Sequence, residues 1–169
     1  MFILNARKSV SAPPPVVYTE VPFSSCSVTR GAISSGACAD IKDGDLATYA
    51  RVNQTSGSNN LVNIAYDLGA VHTIAEVTLK FSVEITDAGS NKAWIWVRGN
   101  YSTTTPTSPY WYYLYAEDFT NGSYIAKTIS TRVDGEYPPV DMRYVEIYVY
   151  CEASSAVWNL YELKAFEEE

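Results

Sequence analysis

Arg143-Tyr144-Val145-Glu146-Ile147-Tyr148-Val149-Tyr150-Cys151 alternates between two kinds of side chain. In an extended chain Val145, Ile147, Val149 and Cys151 share one face, and Tyr144, Glu146, Tyr148 and Tyr150 share the other. A period of two in branched and aromatic residues marks a half-buried strand. The period recurs over 73–83, where Ala75, Val77, Leu79 and Phe81 oppose Ile74, Glu76, Thr78 and Lys80. Shorter strand-like runs lie at 63–67, 94–97, 110–115, 124–131 and 158–167. Clusters of Gly, Pro, Asn, Asp and Ser punctuate them at 54–60, 87–91, 102–109, 121–122, 134–135, 138–139 and 152–155. No long stretch has helical periodicity, and 39–47 makes at most one short turn. Strands at this spacing predict an all-β fold, an antiparallel β-sandwich.

The 169 residues suit one domain. An apolar fraction of 47% and a charged fraction of 18% describe a folded chain, not a disordered one. Fourteen Tyr and four Trp suit pleated surfaces. The net charge of -7, with twelve Lys and Arg scattered along the chain, excludes the basic face that phosphate-tracking proteins need, so no nucleic-acid partner is expected. No apolar run approaches the roughly 20 residues that span a bilayer, so no membrane insertion is expected. Phe2-Ile3-Leu4 is too short for a signal-peptide core, and Arg7 and Lys8 follow it. The expectation is synthesis in the cytoplasm without a signal peptide, with release by lysis or a dedicated machine.

Residues 1–25 read as an extended arm, stiffened by Pro13, Pro14 and Pro15 and carrying apolar Phe2, Ile3 and Leu4. Residues 26–169 form the sandwich. An apolar arm ordinarily rests on its own domain or on a neighbouring subunit, which makes other protein subunits candidate partners. The three cysteines have no metal-binding spacing. A Cys26–Cys151 bridge would join the two ends of the sandwich, and reduced thiols are the alternative in a cytosolic chain.

Three motifs then become specific in their order. The first is Ala39-Asp40-Ile41-Lys42-Asp43-Gly44-Asp45-Leu46-Ala47-Thr48-Tyr49. The second is Ile64-Ala65-Tyr66-Asp67-Leu68-Gly69, continuing to Ile74-Ala75-Glu76-Val77-Thr78-Leu79. The third is Arg143-Tyr144-Val145-Glu146-Ile147, with Leu160-Tyr161-Glu162-Leu163-Lys164-Ala165-Phe166 closing the chain. Across about 26–167 these resemble the coagulation factor 5/8 type C, or discoidin, family and related carbohydrate-binding modules. The resemblance implies a jelly-roll, galactose-binding-like sandwich.

It also implies a structural Ca²⁺ held by Asp43 and Glu162, with Asp40, Asp45 and Thr48 adding oxygens, because hard cations take carboxylate, carbonyl and hydroxyl ligands. The competing reading makes Asp43-Gly44 a plain turn and pairs Glu162 with a Lys or Arg. In relatives of this kind sugars bind in loops at one end of the sandwich. The candidates here are Tyr49, Arg51, Trp111 and Trp158, since a ring stacks on a pyranose while fixed donors take its hydroxyls. The chain lacks the His that sugar-binding relatives often place after the Asp-Gly loop, and Tyr49 and Arg51 occupy that region.

No nucleophile–histidine pair, zinc motif or phosphate loop is present in the sequence, and His72, the one histidine, reads as a turn residue. No enzyme activity is expected. The leading expectation is a structural or adhesive component of a large assembly, such as a virus or phage particle, displayed on the particle surface. The alternative is a module that binds cell-surface or polysaccharide glycans.

Overall fold

The computed structural model describes residues 16–55, 61–86, 92–100, 112–120, 122–131 and 139–169. The apolar and proline residues of the expected arm, Phe2, Ile3, Leu4, Pro13, Pro14 and Pro15, lie outside them, and so does Trp111. Among the described residues there are nine strands: β1 (Tyr18–Val21), β2 (Ser25–Arg30), β3 (Ala50–Thr55), β4 (Leu61–Thr86), β5 (Ala93–Asn100), β6 (Tyr112–Phe119), β7 (Gly122–Ser130), β8 (Val140–Cys151) and β9 (Ser155–Glu168). A short 3₁₀ turn, Cys38–Ile41, sits between β2 and β3. All pairings are antiparallel.

The strand β4 serves both layers. Its first half pairs with β2 and β8, and its second half with β9 and β7. The change falls at Gly69, whose φ of 85° is open to glycine and strained for other residues. The first layer runs β2-β4-β8-β5-β6. The second runs β3-β9-β4-β7, with β1 continuing β3 along the same edge of β9. Among the described residues strand pairing therefore begins at Tyr18, within the stretch expected to be an arm, and stops at Pro22.

The alternating residues fill the space between layers. Phe81 of β4, Phe119 of β6 and Trp158 of β9 meet with ring centroids 5.8–6.1 Å apart. Gln54 is buried among them: its Oε1 accepts the Trp158 indole N–H at 2.8 Å, and its Nε2 donates to the Val149 carbonyl at 3.0 Å. This amide ties β3 and β9 to β8 across the core, so its burial carries little penalty.

Cys26 bonds to Cys38, not to Cys151. Of the two readings left open, reduced thiols or a Cys26–Cys151 bridge, neither describes Cys26, and register rules the bridge out. Cys26 lies opposite Tyr66, and Tyr66 lies opposite Val145, six residues along β8 from Cys151. Cys151 is a buried core thiol whose sulfur faces the Ala153 carbonyl. The disulfide instead fastens the exposed strand β2 to the 3₁₀ turn that leads into β3.

Candidate functional site

Two rows of side chains cross the outer face of the second layer. Register places Arg51, Asn159 and Ser82 side by side, and places Asn53, Val157, Glu84 and Ser123 in the next row. The alternation that buries Val52, Gln54, Trp158, Phe81 and Val83 sends these residues outward. They line a cleft of about 500 Å³, within the range of small-molecule sites.

The first row is held rigid. Arg51 Nε donates to Asn159 Oδ1 at 2.9 Å, and Asn159 Nδ2 donates to Ser82 Oγ at 3.2 Å. Ser82 Oγ meets the Tyr161 hydroxyl at 3.1 Å. Arg51 Nη2 donates to the Tyr49 hydroxyl at 3.3 Å, with the guanidinium carbon 5.3 Å from the Tyr49 ring centroid. Tyr49 and Tyr161 meet edge to face at 5.7 Å, which closes the circuit.

A β-bulge makes this closure. Lys80 pairs with Glu162 and Phe81 with Leu160, so Tyr161 has no partner across β4. The extra residue turns Tyr161 outward beside Ser82, a common use of bulges next to sites. The backbone of Arg51 is fixed too, by hydrogen bonds with Ser34 and Ser35 on the free edge of β3. Gly36 permits that approach, since a Cβ there would lie 2.2 Å from the Tyr49 carbonyl.

Of the expected sugar-contacting residues, the structure brings Tyr49 and Arg51 together. Trp158 is corrected: it is fully buried between the layers and points away from the cleft. The cleft lies on a sheet face, whereas the resemblance implied a site in loops at one end. Asn159, Ser82, Tyr161, Asn53 and Glu84 were not anticipated. The outward position of Asn159 was implicit in the alternation beside Trp158, but the pairing of β3 with β9 was not.

Among the described residues, the richest aromatic surface lies elsewhere, on the first layer. There Trp96 stacks on Tyr148 at 4.7 Å and Trp94 on Tyr150 at 5.1 Å, while Arg98 sits 4.6 Å from the Tyr148 centroid. These rings spend their faces on one another. Beneath them Arg98 pairs with fully buried Glu146 at 2.8 Å, and burial raises the Glu146 pKa above the ordinary carboxylate value.

The 40–48 loop precedes Tyr49. Thr48 Oγ1 lies 2.8 Å from Asp43 Oδ2, 2.9 Å from the Asp45 carbonyl and 3.3 Å from the Asp40 carbonyl. One hydroxyl hydrogen serves three acceptors, an excess of hard oxygens that suits the chemistry of calcium. The carboxylates also brace the turn: Asp43 takes the Asp45 N–H, Asp45 takes the Ala47 N–H, and Asp40 takes the Ala37 N–H. The Asp45 N–H, then the Thr48 hydroxyl, hold the Asp43 carboxyl below its ordinary pKa. Glu162 forms an ion pair with Lys164 at 3.0 Å. Among the described residues no three His, Cys, Asp or Glu side chains gather to hold a metal, so a cation here would have to rely largely on carbonyl and hydroxyl oxygens.

No protein-family model matches the chain, and no curated protein matches it by sequence. Solved structures do match. A chitosan-binding module from a Paenibacillus sp. IK-5 chitosanase/glucanase aligns at TM-score 0.58 and 18% identity, covering 87% of this chain and 97% of that one. The family 32 carbohydrate-binding module of C. perfringens NanJ, in complex with galactose, aligns at TM-score 0.53 and 15% identity, covering 89% and 100%. A family 32 module in complex with 4,5-unsaturated mannuronic acid aligns at TM-score 0.53 and 13% identity, covering 88% and 98%. A Ruminococcus gnavus GH29 fucosidase also aligns, at TM-score 0.51 and 16% identity, covering 86% of this chain and 25% of that enzyme. The chain has the antiparallel β-sandwich fold of these modules, the galactose-binding-like or discoidin fold.

Proposed function

We propose that this chain is a non-catalytic carbohydrate-binding module whose sugar seat is the cleft across β3, β9, β4 and β7. One observation carries the reading: the preset Arg51–Asn159–Ser82 row, an array of donors and acceptors ordered before any ligand arrives. Pre-organisation of this kind lowers the entropic cost of holding sugar hydroxyls. Tyr49 and Tyr161, packed edge to face, brace that row through Arg51 and Ser82. Three of the matched structures are carbohydrate-binding modules, and the sugars named with them are chitosan, galactose and an unsaturated mannuronic acid. That range supports sugar binding in general and leaves the choice of sugar to the cleft. The calcium ion belongs to the same proposal as a brace. Asp43, Thr48 and the carbonyls of Asp40 and Asp45 would hold it, and by fixing the loop it would fix Tyr49.

A glycan array followed by calorimetry tests the function. The expected result is retention of one glycan class, with affinity reduced at least about tenfold in Arg51→Ala through loss of charge-assisted bonds. An array with no sugar-dependent signal, or an Arg51→Ala variant that binds as the parent does, would overturn it.

A further inference from the structure

The two charged residues of the cleft are in different states. Arg51 is engaged by Asn159 and the Tyr49 hydroxyl, with its guanidinium over the Tyr49 ring. Glu84 is exposed in the second row, flanked across the sheet by Val157 and Ser123, neither of which carries charge. Along its own strand the outward neighbours are Ser82 and Thr86, also uncharged. Two strand spacings and a two-residue step separate Glu84 from Arg51, about 12 Å between Cα positions. The Arg51 guanidinium leans toward Tyr49, on the side of the first row away from Asn53 and Glu84, so it does not pair with the carboxylate. The net charge of -7 adds to the same sign.

The remainder of the cleft is amide and hydroxyl: Asn53, Asn159, Ser82 and Ser123. These groups take sugar hydroxyls without regard to charge. Its length suits several sugar rings, because three interstrand spacings of ~4.8 Å cross about 14 Å from β3 to β7. A carboxylate without a charged neighbour among the described side chains forms a short charge-assisted hydrogen bond with an ammonium and repels another carboxylate.

Resting on the sugar-binding reading, we propose that Glu84 makes the cleft select linear glycans with free amino groups, oligomers of a 2-amino-2-deoxy sugar, over their N-acetylated, neutral and uronic acid counterparts. The amine lies over the second row, at Glu84, while neighbouring ring hydroxyls engage Asn53 and the Arg51–Asn159–Ser82 row.

Calorimetry with glucosamine oligomers, N-acetylglucosamine oligomers of equal length and oligouronates tests this, at a mildly acidic pH that keeps the sugar amine protonated. The parent protein is expected to bind the free-amine oligomer about tenfold more tightly than the acetylated one, and the uronate least. In Glu84→Gln the two glucosamine series should converge to within about twofold, through loss of affinity for the free-amine oligomer. The melting temperature of the variant should match the parent, since Glu84 is exposed. Equal parental affinity for amine and acetamide overturns the selectivity and leaves the cleft as a sugar site. A preference that persists in Glu84→Gln also overturns it, by placing amine recognition elsewhere. Failure of every oligomer to bind, together with an empty glycan array, overturns the sugar-binding reading itself.

Discussion

Trp158 and Asn159 are neighbours in the chain and lie on opposite faces of β9. The indole is fully buried against Phe81 and Phe119, and its N–H satisfies Gln54. The amide stands in the cleft between Arg51 and Ser82. Their substitutions should therefore separate stability from binding. Trp158→Phe removes the indole hydrogen bond to Gln54 and opens a void, so urea unfolding should show a loss of about 2–4 kcal/mol with little change in sugar affinity. Asn159→Ala should show the reverse, a loss of affinity of about tenfold with near-parental unfolding. The expectation that Trp158 contacts sugar failed because an aromatic residue serves either face, and only its position relative to Ala156 and Leu160, both buried, decides which. Charge at the residue scale shows most clearly in Asp67, whose carboxylate is bound through both oxygens by Arg143 at 2.9 and 3.0 Å. That pair, more than the Gly69 N–H, holds the Asp67 pKa below its ordinary value. A depressed pKa means the folded state binds the proton less readily than the unfolded state. Its stabilisation is present above about pH 4, the ordinary Asp value, and fades as pH falls through the depressed one. Asp67→Asn should accordingly lower stability at neutral pH and flatten its decline in acid, read from melting temperatures across that window. Glu146, raised by burial, acts with the opposite sign and remains in place in this variant.

Among the elements, the long strands were legible and the short ones were not. The patterns at 73–83 and 143–151 appear as the second half of β4 and as β8 because each buries alternate apolar residues. β2 escaped notice because its side chains are mostly exposed. β3 escaped because its third inward residue is Gln54, a polar residue that belongs inside only once Trp158 and Val149 are there to pair with it. The bulge at Tyr161 has no signature of its own either, since it arises from a mismatch in register between β4 and β9. The 40–48 loop was legible as an oxygen-rich turn, and its excess of acceptors around Thr48 yields a prediction. Calcium in large excess over its dissociation constant should stabilise the protein by about 2–3 kcal/mol, or about 5–10 °C in melting temperature. A chelator should reverse the shift, and Asp43→Asn should abolish it, as differential scanning fluorimetry can establish. Unchanged melting with added calcium or chelator would leave the loop as a turn braced by its own N–H groups.

Across the whole molecule, the outer edge of β9 draws residues before 26 into the sandwich. β3 covers its first half, pairing with 155–160, and β1 covers its end, pairing with 165–168. Val21 at the end of β1 and Phe23 just beyond it enter the core, where the Phe23 ring lies 5.3 Å from Tyr66 and the Phe23 carbonyl accepts from Lys42 Nζ. Removing residues 1–24 therefore strips a strand, uncovers an edge and deletes a core aromatic that alone contributes about 3–5 kcal/mol. A chain beginning at Ser25 should melt about 10 °C lower than the full chain and aggregate through the bared edge of β9. A chain beginning at Val16 keeps every described strand and should melt as the full chain does. This difference determines how the assembly expectation is tested, because loss of an oligomer in the shorter chain reports damage to the sandwich as readily as loss of a tether. Only the chain beginning at Val16 isolates the proline-rich segment. If that segment links subunits, native mass should fall from a defined oligomer to a monomer on its removal, with melting temperature and sugar affinity unchanged. An oligomer that survives its removal places the contact on the sandwich itself, and a monomer in both cases leaves the sugar cleft as the functional surface.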